Sequence, residues 1–336
     1  MAITAKELAK QLGLSQSAVS LALNHKPGVS TTTRRKVLEA AEALGYDFSR
    51  IQPVEQPQAS GSIYFVIYKK HGAVVADTPF FSQLSDGVDA ECQRLPYHLS
   101  IQYLHDGDNI AAQLNTWKHS GCRGILLLGT EMQPQDLSHF LNIDIPLVLL
   151  DNYFEEINVD SVLINNIKGA YTATNYLIRK RMSQPGYLHS SYSINNFEER
   201  ADGFYKAIRK NGMSTSRSIV HRLTPSVDGA YADMKELIGR GEPLANCYFA
   251  DNDLIAAGTI RALREAGYQI PRDIAVVGFD NMPICTYIDP TLTTIHVPKE
   301  YMGQMAVRRL HELITTSDSQ PIKIEISTTL QKRRSC

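Results

Sequence analysis

From residue 62 onward the chain alternates between short apolar runs and longer amphipathic stretches, and no other feature limits its fold so tightly. Apolar runs bounded by turn residues fall at 63–68, 99–103, 124–128, 147–151, 186–189, 219–222, 246–250 and 275–279. Apolar residues at helical spacing fill 81–94, 110–119, 167–181, 198–210, 229–239, 253–266 and 299–315. Such alternation builds parallel sheets with helices on both faces. About 275 residues of it are too many for one open sheet, so two α/β lobes are expected, with a ligand cleft between them.

The chain before residue 62 is of another kind. The segment DFSRIQPVEQPQASGS at 47–62 has two prolines, three glutamines and no apolar periodicity, which marks a linker. We divide the chain into a head at 1–50, a linker at 51–61 and a core at 62–336. Within the core, lobe 1 is expected at 62–165 and 294–318, and lobe 2 at 166–293 and 319–330. Charge follows the division. The whole chain carries −1, but seven Lys and Arg against four acids before residue 51 put the head at +3 and the remainder at −4.

The head reads as three short helices. Thr4-Ala5-Lys6-Glu7 has capping-box spacing, Leu8, Ala9 and Leu12 share one face, and Gly13 suits a left-handed helix end. Ser15 can cap a second helix whose Val19, Ala22 and Leu23 point inward. A third, at about 31–44, turns Val37, Ala41 and Leu44 inward and ends at Gly45. The second helix shows Gln16, Ser17, Ser20, Leu21 and Asn24 on its outer side, the arrangement with which a helix-turn-helix enters the major groove. Gln and Asn pair bidentately with adenine, Ser serves bases or phosphates, and Leu touches a thymine methyl. A three-helix interaction module with a solvated polar face is the plain alternative, and the basic bias favours DNA.

Other classes find little support. Composition is that of a folded domain, 43 % hydrophobic and 21 % charged. The five cysteines, Cys92, Cys122, Cys247, Cys285 and Cys336, are scattered and never in C-x-x-C spacing, which suits a reducing compartment rather than a disulfide framework or zinc site. MAITAKELAKQLG lacks the apolar core of a signal peptide, and no apolar run reaches the ~18 residues of a membrane span, so a cytoplasmic protein without a membrane partner is expected. No phosphate-binding loop, dinucleotide fingerprint or nucleophile elbow is present, so we expect no enzyme, cofactor or catalytic residue. His311-Glu312 begins a zinc motif, but Thr315 occupies the second ligand position. His105, Asp106 and Asp108 read as a polar turn, not a metal site, and Lys332-Arg333-Arg334 as a solvated tail.

ITAKELAKQLGLSQSAVSLALNHKPGVSTTTRRKVLEAAEALGY resembles the DNA-binding head of the LacI/GalR family of bacterial transcription regulators. DTPFFSQLSDGVDAE, FEERADGFYKAI, FADNDLIAAGTIRALREAGYQIPRDIAVVGFDN and PTLTTIHVPKEYMGQMAVRRL resemble the same family's effector-binding core, which is related to periplasmic sugar-binding proteins. The resemblance runs from Ile3 to about Leu313. It implies an α/β protein: an N-terminal helix-turn-helix head plus a two-lobed periplasmic-binding-protein-like core of parallel sheets flanked by helices. It also implies a homodimer on double-stranded operator DNA, with a sugar or sugar phosphate between the lobes. By motif position Gln16, Ser17 and Leu21 would read bases, Ser15, Asn24, Ser30 and Thr33 would hold phosphates, and Lys6, Ser20 and His25 complete the DNA-facing set.

Two departures stand out. Many members carry arginine where this chain has Leu21, so guanine should matter less at that step. Members often form a hinge helix after the head, whereas Phe48, Ser49, Gln52 and Glu55 replace its Pro, Asn, Ala and Leu, and Pro53 would break it. An acidic side chain in place of a leucine wedge predicts binding without a central kink.

In the core the resemblance nominates Phe80, Phe81, Thr130, Asp151, Arg200, Asn252 and Asp280 as effector contacts. The residues make chemical sense: Phe80 and Phe81 can stack on a ring or simply fill the core, and Arg200 can fork onto hydroxyls or pair with Glu198 or Glu199 at the surface. Thr130, Asp151, Asn252 and Asp280 follow strand ends, where open sheets bind ligands and where helices are also capped. The expected function is a sequence-specific, effector-controlled transcription regulator acting as a repressor; the alternative is a sugar-binding receptor without a transcriptional role.

Overall fold

The computed structural model of the chain describes residues 3–23, 29–47, 61–75, 79–316 and 320–336. Met1–Ser60 and Gly61–Cys336 form two compact units. In the first, α1 (Ala5–Leu12), α2 (Gln16–Leu23) and α3 (Thr31–Ala43) pack on Leu8, Ala9, Val19, Ala22, Leu23, Val37 and Ala41. The Thr4 hydroxyl accepts the Glu7 amide at 3.3 Å while the Glu7 carboxylate accepts the Thr4 amide at 2.9 Å, so the box is closed. Gly13 ends α1 at φ 65°, where any side chain would be strained. Leu44, expected inward, is 38 % exposed. Because α3 stops at Ala43, the helical period no longer aims the next side chain at the core, and Tyr46 packs there instead. Asn24, His25 and the linker positions Phe48, Ser49, Gln52, Pro53 and Glu55 lie outside the described residues.

The second unit holds two six-stranded sheets. Numbered along the chain, the first sheet contains β1 (Ser62–Lys69), β2 (His98–His105), β3 (Cys122–Leu128), β4 (Leu147–Leu150), β5 (Asp160–Ile164) and β11 (Lys323–Ile326), in the order β11-β5-β4-β3-β1-β2. All its neighbours run parallel. The second contains β6 (Gly186–Ser190), β7 (Val220–Leu223), β8 (Cys247–Ala250), β9 (Ala275–Asp280), β10 (Thr293–His296) and β12 (Thr329–Gln331), in the order β12-β10-β9-β8-β6-β7, with only β12 antiparallel. Strands β5, β6, β8 and β9 are buried throughout, as strands covered on both faces must be.

The helices are α4 (Pro79–Cys92), α5 (Ile110–His119), α6 (Pro134–Leu137), α7 (Asn166–Arg181), α8 (Asn195–Lys210), α9 (Val227–Gly239), α10 (Asp253–Glu265), α11 (Ile284–Tyr287) and α12 (Lys299–Thr315). Helices α4 and α12 cross backbone to backbone. A Cβ on Gly87 would lie 2.0 Å from the Glu300 carbonyl oxygen, and one on Gly303 would lie 2.4 Å from that of Leu84.

Two expected lobe boundaries change. Strand β10, expected in lobe 1, pairs with β9 in the second sheet, because Thr293–His296 runs alongside Val277–Asp280. Strand β11, expected in lobe 2, pairs with β5 in the first. The chain therefore passes between lobes three times, from β5 to α7, from β10 to α12 and from β11 to β12. The basic C-terminal run is not a solvated tail. Arg333 donates to the Leu292 carbonyl at 2.9 Å and to Asn281 Oδ1 at 2.7 Å, and buried Ser335 bonds Thr293 and Val276. Cys92, Cys247 and Cys285 are buried, Cys122 and Cys336 partly so, and all five are free thiols. No described helix is long and apolar enough to cross a membrane.

Candidate functional site

Strands β3, β4, β8 and β9 end on the same side of their sheets, and the residues at or just after those ends are Thr130, Asp151, Asn252 and Asp280. Helix α8 brings Arg200, and the first turn of α4 brings Phe80 and Phe81. All seven line one cavity of about 160 Å³.

Two backbone conformations set the geometry. Asp151 (φ 64°) and Asp280 (φ 105°) sit in the left-handed region, which aspartate tolerates better than most side chains. The Thr130 hydroxyl donates to Asp151 Oδ2 at 2.7 Å, and Asn196 Nδ2 donates to the Asp151 carbonyl at 3.2 Å. Burial pushes the Asp151 carboxyl up to about 6, against the pull of the Thr130 hydroxyl and the Arg200 guanidinium.

Arg200 is 3 % exposed and makes no pair with Glu198 or Glu199. Its Nε donates to Asn166 Oδ1 at 2.9 Å, Nη1 to the Asp251 carbonyl and Nη2 to Asp280 Oδ1 at 3.3 Å. Its guanidinium lies 3.8 Å from the Phe279 ring centre, a desolvated cation–π contact that fixes its plane. Behind it Asp251 accepts from Tyr187, from Ser190 N at 2.7 Å and shares a 2.7 Å bond with His189 Nδ1. Asp280 is raised by burial and drawn back by Arg200 and Lys299. Lys299, at the start of α12, is itself buried and gives its ammonium to the Asp280 and Val297 carbonyls.

Asn252 caps a helix and also lines the cavity. Its Oδ1 accepts the Ile255 amide at 2.9 Å as the cap of α10, which leaves its Nδ2 for the cavity it lines. Phe80 and Phe81 are buried and also form part of the core, with ring centres 5.0 Å apart. Sequence reasoning missed Asn196 and Phe197, which stand one turn before Arg200 on α8 and line the same cavity; that spacing was the available signal. It also missed Lys299, whose sequence context gives no sign of burial.

In the head, Gln16, Ser17, Ser20 and Lys6 are exposed and Leu21 is half-buried. Ser15 Oγ accepts the Ala18 amide at 3.1 Å and shares a 3.0 Å bond with Ser17 Oγ. Ser30 Oγ caps α3 by accepting the Thr33 amide at 3.1 Å and bonds the Thr33 hydroxyl at 2.8 Å. A helix start with hydroxyl donors and aligned amides is suited to an anion such as phosphate. Among the described residues no group of three metal-ligating side chains occurs.

Residues 4–48 match the model for bacterial regulatory proteins of the lacI family, and residues 174–336 that for a periplasmic binding protein-like domain. The chain is 31 % identical over 307 residues to the HTH-type transcriptional regulator GalS of Salmonella typhimurium, covering 90 % of this chain and 88 % of that one. It is 28 % identical to the HTH-type transcriptional repressor PurR of Mannheimia succiniciproducens, covering 99 % and 98 %. Its fold matches that of the transcriptional regulator CelR in complex with cellobiose at TM-score 0.74, with 25 % identity over 99 % of this chain and all of the other. The lac repressor dimer bound to operator and the anti-inducer ONPF matches at TM-score 0.70 with 21 % identity, covering 100 % of this chain and 99 % of that one, which speaks for the fold.

Proposed function

The chain belongs to the lacI family of bacterial regulatory proteins, and from that premise we propose that it is a cytoplasmic, dimeric repressor whose operator affinity is set by a neutral sugar held between its lobes. The match of the head to regulatory proteins sets aside the reading as a solute receptor. The observation that carries the proposal is the gathering of two carboxylates, one arginine, a threonine and two asparagines around a single cavity that is also lined by Phe80, Phe81 and Phe197. Carboxylates accept from sugar hydroxyls, the guanidinium and amides donate to them, and the rings face the C–H side of a sugar.

Charge separates a neutral sugar from a sugar phosphate. Arg200 is already paired with Asp280, Lys299 spends its ammonium on carbonyls, and Asp151 faces the same cavity. A phosphate would meet two carboxylates and no uncommitted cation there. Control of DNA binding follows from linkage, since a ligand shifts operator affinity as far as it prefers one lobe arrangement.

A thermal-shift panel of neutral sugars and sugar phosphates tests this directly. A sugar that binds only the folded chain stabilises it by about 2.7 kcal/mol at a concentration of 100 Kd. We expect a neutral sugar to raise Tm and Arg200→Lys to abolish the rise, because an ammonium cannot reproduce the guanidinium fork. Stabilisation by phosphorylated sugars alone would overturn it.

A further inference from the structure

Ala73, Val74 and Ile194 line the cavity around Arg200, and the same three residues line a second compartment of about 260 Å³. Both lobes wall this outer compartment as well. Lys70, His71 and Gln133 come from the first, and Ser191, Tyr192 and Ser193 from the second.

Its chemistry differs from that of the inner cavity. Where the inner cavity is floored by buried charges, the outer one offers the exposed ring of Tyr192 and that of His71, centres 6.4 Å apart and tilted by 39°. Ser191, Ser193 and Gln133 line the same compartment. Lys70 turns its ammonium to Asp136 at 2.8 Å, so the compartment favours a neutral group over an anion. Rings from both lobes with hydroxyl and amide partners at the edge match a sugar ring, which has an apolar C–H face and a polar rim.

The loop whose Ala73 and Val74 line both compartments is held in shape by Glu131, a buried carboxylate that lines the outer one. Glu131, 3 % exposed, accepts the amides of Lys70, His71 and Gly72 on Oε2 at 2.9, 2.9 and 3.0 Å, and those of Val74 and Val75 on Oε1 at 2.8 and 2.9 Å. A charged acceptor with five donors fixes the loop at 70–75 before any ligand arrives, which removes an ordering cost from binding.

We propose that the outer compartment is a second sugar subsite, so that the effector is a glycosidically linked sugar with one ring among Arg200, Asp151 and Asp280 and the next on His71 and Tyr192. This rests on the sugar reading above. A second ring touching both lobes adds a contact that exists only when the lobes are apposed, and so strengthens the coupling to DNA.

Titration calorimetry on the full chain tests the subsite, using glucose, galactose and ribose against cellobiose, lactose and maltose, repeated with His71→Ala and Tyr192→Ala. Both side chains are solvent-exposed, and unchanged Tm without ligand checks that the variants keep the fold. We expect one disaccharide to bind at least tenfold tighter than its component monosaccharides. Each variant should weaken that disaccharide about tenfold and leave the monosaccharide within twofold. Equal affinity for both sizes, or variants that weaken both alike, would overturn the second subsite while leaving the sugar reading intact. Failure of every sugar of either size to bind would overturn both.

Discussion

Asp151 is buried, 2 % exposed, at a backbone angle, φ 64°, that asparagine tolerates equally well. Its folded pKa of about 6 lies above the ordinary 3.8, so the ligand-free protein loses stability as pH rises from near 4 through 6. Asp151→Asn removes that loss. The variant should gain on the parent by up to about 3 kcal/mol between pH 4 and pH 7.5, at about 1.36 kcal/mol per unit, read as a widening Tm difference. A difference constant with pH would show that Asp151 does not titrate in the folded state. Leu21 poses the matching question in the head. It is half-buried, and its apolar tip can read a thymine methyl but not a guanine. Leu21→Arg should shift selected sites toward guanine at one symmetric step, and an unchanged site profile would remove Leu21 from the reading surface.

Between elements, close approach does the fixing. Gly303 of α12 faces the backbone of α4, and neither the Leu84 carbonyl nor the Val88 amide, 2.8 Å from a built Cβ, can yield as a side-chain tip would. Gly303→Ala should cost about 1–3 kcal/mol in denaturant unfolding, with the loss confined to the core transition. Parental stability would mean that the two helices can part. The sequence made such elements legible unevenly. Long apolar strands and capped helices are legible near their true bounds because burial on both faces and helix starts leave local signatures. Strands β5, β10, β11 and β12 leave no clear signature, because each is five residues or fewer and carries Asp, Thr, Lys or Glu among its apolar positions. Their pairing is a long-range fact: Ile324 lies beside Val162. The positions that line the inner cavity are legible because strand ends and the family's motifs coincide there. The Glu131 anchor is not, because five backbone amides converge on it only once the chain at 70–75 has turned.

At the scale of the whole chain, the near-neutral total divides into a head at +3 and a remainder at −4. The basic part can approach phosphates while the acidic part avoids them, so binding is expected to weaken as salt rises. Three chain passages join the lobes, and Lys299, leading α12 of the first lobe, grips the carbonyl of Asp280 in the second. A ligand in the proposed site beside Asp280, Arg200 and Asp151 would act where the lobes are tied together, and its preference for one lobe arrangement would become a coupling free energy of about 1–3 kcal/mol. The most direct test is fluorescence anisotropy of the full chain on a duplex selected from a random library, titrated with and without a saturating concentration of the sugar found by thermal shift. Operator affinity should change by about 5–150-fold with the sugar present, and the change should vanish in Arg200→Lys. Identical affinities in its presence and absence would contradict the account.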